Sequence, residues 1–188
     1  MRELSFAELD QCAHISTEDA ELPHIRRRWV GAPVVAWAAY DEERLANLNL
    51  DYQHVYLGTD IALTAEIQAS HSRGEPLVFY MWEPHWVPAK YAITRISFPD
   101  YSDECWGMVE GIEATFACDF PADDTIIIAN TKWTEDNPEA AQFFKNFNLT
   151  NKQQNALILD IEVNEVDLEK AVRKWMGENE DVWRTWIP

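Results

Sequence analysis

The spacing of apolar and polar positions between residues 29 and 82 predicts three strands separated by two helices. Apolar runs at residues 30–36 and 77–81 are typical of strands, and the second run is continuous, as in a buried strand. Residues 52–57 alternate weakly between apolar and polar positions and also predict a strand. Strands that alternate with helices form parallel sheets with right-handed crossovers, so the pattern predicts an α/β fold. Ligands bind at the carboxyl ends of strands in such sheets, and Trp37 and Trp82 fall at two of those ends.

Start and stop signals bound the two helices between these strands. Residues 41–50 read as a helix with Asp41 as its N-cap and with Leu45 and Leu48 on one face. A second helix begins after the turn Gly58-Thr59-Asp60 and ends near Gly74, which is expected at the C′ position.

The C-terminal third of the chain reads as mostly helical. Asn137-Pro138 predicts a helix start, Thr150 and Gln153 form a capping box, and Gly177 is expected to stop a helix over residues 166–176. Residues 181–186 make a last turn. Before this helical part, residues 116–120 and 125–129 are predicted strands.

The charge of the chain excludes several classes of partner. Its 188 residues carry a formal net charge of −18, which a phosphate backbone or an anionic membrane surface would repel. We therefore expect no nucleic-acid partner, and a solvated acidic surface is the simplest account of the charge. The longest apolar runs fall short of the about 20 residues that span a membrane. The first residues lack the apolar stretch of a signal peptide, which fits a mature form, a cut chain or a partial gene product.

The nine tryptophans say more about the function than the charge does. Trp82, His85 and Trp86 lie on one loop that contains Pro84 and follows a predicted strand. An indole face attracts cations, and a quaternary ammonium group, which cannot donate ordinary N–H hydrogen bonds, is best received by aromatic rings. His85 could donate a hydrogen bond to a carboxylate on the same ligand. The alternative is that these tryptophans are core residues.

The three cysteines leave two interpretations open. Cys105 and Cys118 could close a short loop in an oxidising compartment, or all three, with Cys12, could be free thiols in a reducing one. Because no CxxC spacing occurs, we expect no zinc site and no other metal site.

Enzymatic motifs are missing from the sequence. It contains no HExxH, GxSxG or P-loop pattern, and Glu83 beside His85 is the best acid–base pair that it offers. We therefore expect no catalytic residues and no cofactor. An interaction module is a further alternative, in which Trp183 and Trp186 would be hot spots, although pinning the last helix to the core is the simpler role for them.

Several collinear segments resemble the substrate-binding proteins of ABC transporters for glycine betaine and proline betaine. The central segment is RGEPLVFYMWEPHWVPAKY, and upstream of it lie RRWVGAPVVAWAAYDEE and YLGTDIALTAEIQASHSRGEP. Downstream lie DECW, FACDFP, NTKWTEDNPEAAQFFKNFNLT and EKAVRKWMGENEDVWRTWIP. The resemblance covers residues 29–188.

The resemblance implies a type II periplasmic-binding-protein-like fold, with a parallel sheet, flanking helices and a helical C-terminal segment, in a bilobal protein that closes on its ligand. Residues 1–28 would be an incomplete N-terminal segment. Residues 29–112 would form the α/β ligand-binding lobe, and residues 113–188 the crossover strand and C-terminal helices of the partner lobe. The family's long N-terminal half-lobe has no counterpart here, so the chain looks like a truncated bilobal protein.

The resemblance also implies the binding residues. Trp37 and Trp82 match positions of a tryptophan box for the trimethylammonium group, with His85 and Trp86 on the same loop. The backbone N–H groups of Ala38 and Ala39 match positions that meet a carboxylate, where the family's W-G-C loop here reads Trp37-Ala38-Ala39. A cysteine pair in one branch of the family implies a bond between Cys105 and Cys118.

The implied function is capture of a quaternary ammonium or similar onium osmolyte at the periplasmic or extracellular face of the membrane. The implied partners are the ligand, the membrane subunits of the ABC importer and, to complete the missing lobe, a further copy of the chain. The sequence leaves the choice among glycine betaine, proline betaine, choline, carnitine, trimethylamine N-oxide and sulfonium compounds open. The alternative function is an interaction or remnant domain of the same fold that no longer binds ligand.

Overall fold

The computed structural model describes residues 3–5, 28–31 and 40–188. The chain forms two compact units, and each is made of two stretches of sequence. The first unit is Met1–Met81 with Ile93–Ala122, and the second is Trp82–Ala92 with Asp123–Pro188. The sequence analysis divides the chain by function into an N-terminal segment, a ligand-binding lobe and part of a partner lobe, with boundaries at residues 28/29 and 112/113. This division stays a prediction.

Parallel strands build the first unit. The strands are β1 (Glu3–Ser5), β2 (Arg28–Val30), β3 (Gln53–Val55), β4 (Val78–Phe79) and β5 (Arg95–Ser97). β2 lies between β3 and β4 and is parallel to both, so that Val30 pairs with Val55 on one side and with Phe79 on the other. β1 pairs with β5, also in parallel. The predicted parallel α/β arrangement is therefore confirmed, although its first strand begins at Arg28 rather than at residue 30, and residues 32–36 of that prediction lie outside the described residues.

Two helices connect the strands of the three-stranded sheet. α1 (Asp41–Asn47) joins β2 to β3, and α2 (Asp60–Arg73) joins β3 to β4. The caps of α2 are those predicted, since the Thr59 hydroxyl accepts from the N–H of Ala62 and Gly74 takes a left-handed conformation. The core residues lie on these elements: Trp29, Val30, Leu45, Leu63 and Ile67.

The prediction that Asp41 caps α1 is wrong. Tyr40, with φ 50°, occupies the cap position, and Asp41 is the first helical residue. The Asp41 carboxylate accepts a 3.0 Å hydrogen bond from Arg44 Nη1 instead, and both side chains are almost completely buried. Because a buried carboxylate is stable only when it is paired, the guanidinium competes successfully with the helix N–H groups for it.

Arg44 is the centre of a buried cluster at the carboxyl edge of this sheet. Its Nε donates to the Cys118 carbonyl at 3.2 Å, and its guanidinium lies 4.2 Å from the centroid of the Phe120 ring. Burial lowers the pKa of the Arg44 guanidinium from its ordinary value, and the Asp41 carboxylate acts in the opposite direction. His54 Nε2 lies 3.4 Å from the second Asp41 oxygen. Gly31 closes the cluster, because a Cβ there would collide with both His54 and Asp41.

Short helices build the second unit. They are α3 (Val87–Lys90), α4 (Thr131–Asp136), α5 (Pro138–Asn146), α6 (Asn151–Ile158), α7 (Leu168–Glu178) and α8 (Glu180–Trp183). A π-helical turn, Leu159–Val163, continues α6, and a 3-10 turn, Arg184–Trp186, continues α8. None of the helices in the described part of the chain is long and apolar enough to cross a membrane.

In the second unit the predicted starts of two helices are confirmed, and one predicted helix end is wrong. Pro138 begins α5, and Thr150 and Gln153 form the predicted capping box of α6. Gly177, however, lies inside α7, because the helix runs on to Glu178. The helix also begins later than predicted, at Leu168, with Asp167 as its N-cap. The buried Trp186 stacks on Trp175 at 5.9 Å, which confirms that it pins the C-terminal end.

Two predicted strands do not form. Residues 116–120 are irregular because Phe116 has φ 52° and its N–H is bound to the Cys105 carbonyl, which turns the backbone away from an extended ladder. Residues 125–129 are irregular because no backbone group within the described ranges pairs with them. Strand propensity alone does not supply the partner that a strand requires.

Candidate functional site

The loop that follows β4 carries the predicted aromatic residues in the second unit. Trp82 is half-buried, and the peptide bond between Glu83 and Pro84 is cis. His85 and Trp86 follow, and α3 begins directly after them. The loop thus presents three aromatic side chains within five residues.

The three rings are in contact through His85. The imidazole centroid lies 5.0 Å from the Trp82 ring at an interplanar angle of 70°, and 5.3 Å from the Trp86 ring at 33°. Edge-to-face packing of this kind restrains the ring orientations. The half-buried Trp82 and the imidazole are therefore held beside each other.

The protonation of His85 follows from its backbone contact. The N–H of Val87 donates to His85 Nδ1 at 3.1 Å, so this nitrogen is an acceptor. In the neutral imidazole the proton then belongs to Nε2, which makes Nε2 the hydrogen-bond donor of the ring. An acceptor such as a carboxylate is the chemical group that this nitrogen suits.

Asn155 holds the loop in place, and no direct signal in the sequence predicts this role. Its Oδ1 accepts from the His85 N–H at 2.8 Å, and its Nδ2 donates to Glu83 Oε1 at 2.7 Å. The residue is 4% exposed and comes from α6, which packs against α3. The available hint is that Asn155 lies directly before the apolar run Ala156-Leu157-Ile158.

Trp86 differs from Trp82 in its surroundings. It is 7% exposed, and Lys90 Nζ lies 5.4 Å from its ring centroid. The chain's own ammonium group therefore already contacts this indole. Trp86 has the environment of a core residue, whereas Trp82 is half-buried.

The structure brings together three of the predicted binding residues, Trp82, His85 and Trp86. Trp37, Ala38 and Ala39 lie outside the described residues, so their place in the site stays a prediction. Cys105 and Cys118 are joined by a disulfide in the first unit, with their Cα atoms 6.4 Å apart.

Other chemistry finds little support in the described ranges. Among those residues, no group of three or more histidine, cysteine or carboxylate side chains is placed to hold a metal ion. A groove of the second unit, about 590 Å³, does not include the loop of residues 82–86 and is lined mainly by apolar residues between Thr125 and Gln154.

Comparisons with known proteins agree on one class. The profile of the family described as "Substrate binding domain of ABC-type glycine betaine transport system" matches residues 10–178. The glycine betaine-binding periplasmic protein OusX of Dickeya dadantii is 26% identical over 139 residues, which are 69% of this chain and 42% of that protein. The trimethylamine N-oxide-binding protein of Pelagibacter ubique is 26% identical over 128 residues, which are 68% of this chain and 40% of that protein.

A solved structure is also similar. The glycine betaine/L-proline-binding protein ProX from Borrelia burgdorferi superposes with a TM-score of 0.49 and 18% identity, covering 98% of this chain and 61% of that one. The chain spans about two fifths of the length of the curated relatives that it matches.

Proposed function

Because this chain belongs to the family of substrate-binding domains of ABC-type glycine betaine transport systems, we propose that it captures glycine betaine or a similar onium osmolyte for an ABC importer. The match between the family profile and residues 10–178 carries the proposal. The resemblance found in the sequence leads to the same family, which is one of transport proteins rather than enzymes.

The proposed site receives the methylated cation on indole faces. Trp82 supplies one partly open face, and Trp37 is proposed as the second on the strength of the resemblance. A desolvated cation on such a ring gains about 2 kcal/mol, and no fixed charge is needed for it. Trp86 is the weaker candidate, since Lys90 already contacts its ring.

The acidic end of the ligand requires donors. His85 Nε2 is oriented as a donor by the bond that Nδ1 accepts from Val87, which supports a role against a carboxylate. The N–H groups of Ala38 and Ala39 are proposed as further donors. Choline has no carboxylate, so this half of the site would distinguish it from glycine betaine.

The proposed setting is the periplasmic or extracellular face of the membrane, and the name of the Dickeya dadantii relative, a periplasmic protein, supports it. There the chain would deliver its ligand to the membrane subunits of the importer. Self-association is proposed as a further partnership on the strength of the resemblance.

A thermal-shift panel tests the function. Glycine betaine, proline betaine, choline, carnitine and trimethylamine N-oxide are compared with primary-amine analogues such as glycine and ethanolamine. We expect stabilisation by at least one methylated compound and none by its primary-amine analogue, because only the methylated group prefers aromatic faces to water. The same shift in a Trp82→Ala variant would contradict the proposed site. No shift with any onium compound would favour the remnant or interaction domain instead.

A further inference from the structure

Asn155 lies where α6 meets the loop of residues 82–86, which is called the tryptophan loop here. The residue is almost completely buried, and a buried carboxamide costs free energy unless its polar atoms are hydrogen-bonded. Within the described part of the chain, both hydrogen bonds of this side chain go to the tryptophan loop, at 2.8 Å and 2.7 Å. An apolar residue would pack α6 against α3 without that requirement, so the carboxamide is tied to the geometry of the loop.

The orientation of the Asn155 carboxamide follows from its two partners. The backbone N–H of His85 can only donate, so it requires the side-chain oxygen, Oδ1. The Glu83 carboxylate can only accept, so it requires the side-chain nitrogen, Nδ2. A flipped carboxamide would set oxygen against the carboxylate and N–H against N–H. The loop is therefore held in one arrangement on both sides of Pro84.

This arrangement determines which atom of His85 can donate to a ligand. Its backbone N–H is bound to Asn155, and its Nδ1 accepts from the Val87 N–H at 3.1 Å, so the proton of the neutral ring belongs to Nε2. The imidazole centroid lies 5.0 Å from the Trp82 ring. In glycine betaine one methylene group separates the methylated nitrogen from the carboxylate. Two groups that are one methylene apart suit an indole and a donor that lie this close together.

We propose that Asn155 is a positioning residue that makes the site selective for zwitterionic onium compounds, in which a carboxylate lies close to the methylated cation. This selectivity rests on the proposed function, since Trp82 must first receive an onium group. A cation is attracted over the whole face of a ring, whereas a hydrogen bond weakens steeply when its angle changes. A loop released from Asn155 therefore keeps most of its attraction for the cation and loses the bond to the carboxylate.

Titration calorimetry with two ligands separates this role from a structural one. Glycine betaine and choline carry the same trimethylammonium group, but only glycine betaine carries a carboxylate. Asn155→Ala should weaken the binding of glycine betaine about 10- to 150-fold, as for a hydrogen bond to a charged group, and that of choline less than about 3-fold. Asn151→Ala, at an exposed position of α6, is the control and should change neither. Equal losses for the two ligands would overturn the proposal.

An exchange of partners tests the geometry directly, and it serves equally if Asn155→Ala does not fold. In Asn155→Asp the new carboxylate can still accept from the His85 N–H, but it faces the Glu83 carboxylate. Adding Glu83→Gln places a donor opposite it, so the double variant can form both hydrogen bonds and has the net charge of the wild type. Glycine betaine should bind more weakly to Asn155→Asp and recover most of its affinity in the double variant. A double variant that binds no better than Asn155→Asp would overturn the proposal.

A double-mutant cycle shows whether Asn155 acts through His85. If it does, Asn155→Ala should add little to the loss of glycine betaine affinity caused by His85→Ala, because the donor is already missing. Additive losses would overturn the proposal. The cycle needs glycine betaine alone, so it decides the matter even where choline binds the wild type too weakly to measure. A wild type that binds no onium compound overturns the proposed function and this selectivity with it, whereas a variant that loses both ligands equally overturns the selectivity alone.

Discussion

The carboxamide oxygen of Asn155 accepts a 2.8 Å hydrogen bond from the backbone N–H of His85, 70 residues earlier in the chain. The same carboxamide donates to Glu83, so one buried side chain fixes both ends of the turn between Trp82 and Trp86. The geometry of the candidate site therefore depends on a residue of α6, outside the loop that carries the aromatic rings.

Replacing Asn155 by alanine should destabilise the protein and weaken the loop. The buried His85 N–H would lose its acceptor, which costs about 1–3 kcal/mol. Urea unfolding measures the change, and Asn151→Ala, at an exposed position of the same helix, is the control. Equal unfolding midpoints for the two variants would show that the contact contributes nothing.

Removing the Trp82 ring should weaken onium binding by about 1–3 kcal/mol, or about 5- to 150-fold, because box residues share one desolvated cation. Trp82→Phe should lose less than Trp82→Ala, since part of the ring face remains. Isothermal titration with the best onium ligand measures both. Trp133→Ala, an exposed tryptophan of the same unit, is the control and should leave affinity unchanged. Binding that weakens steeply as salt rises would contradict a site made of ring faces.

Arg44→Met should destabilise the first unit strongly. It removes the guanidinium that pairs with the buried Asp41 carboxylate, and breaking such a pair costs about 3–5 kcal/mol. Adding Asp41→Asn should recover part of this loss, because the buried negative charge is then removed. Urea unfolding is compared with Arg173→Met, whose side chain is 75% exposed. A loss as small as that of the control would contradict the buried pairing.

Thiol titration under denaturing, non-reducing conditions should find one reactive thiol, that of Cys12, since Cys105 and Cys118 are bonded. The bond closes a separation of 13 residues, so Cys105→Ser with Cys118→Ser should lower stability by about 3 kcal/mol in the chain-entropy model. Three thiols in the native protein would contradict the bond.

The titration of Asp160 should make the stability of the protein depend slightly on pH in the acid range. Its pKa is lowered from the ordinary value of 3.8, mainly by the hydrogen bond from Asn164 and also by Lys174. A lowered folded pKa means that the stabilisation is complete above the unfolded value and is lost as the pH falls through the folded one. Asp160→Asn should therefore be less stable than the wild type near neutral pH, by less than about 1 kcal/mol, and the difference should vanish in strong acid. A difference that persists there would exclude this titration as its cause.

Local signals predicted most of the elements. The Thr59 and Gly74 caps, the Thr150–Gln153 capping box and the parallel sheet all depend on residues close in sequence or on the simple alternation of helices with strands. What could not be predicted depends on pairs that are distant in sequence. Arg44 meets the Cys118 carbonyl 74 residues away, and no spacing rule identifies such a partner.

The tryptophan loop shows the same division. Its position after β4 follows from the pattern, and Trp82, His85 and Trp86 are indeed neighbours. Trp82 is half-buried, whereas Trp86 is buried and has Lys90 against its ring. This difference comes from the packing of α3 on α6, which cannot be predicted from the sequence. Residues 125–129 are predicted as a strand because propensity describes what a backbone can form, whereas strand pairing depends on what lies beside it.

The position of Gly31 also limits the order in which substitutions in the buried cluster can occur. Because His54 and Asp41 already fill the space where its Cβ would lie, a larger residue at position 31 requires that one of those two side chains shifts or is replaced by a smaller one. The reverse order has no such barrier. Substitutions at these three positions can therefore accumulate along some evolutionary paths and not along others, and a homologue with alanine at this position should also differ at one of the other two.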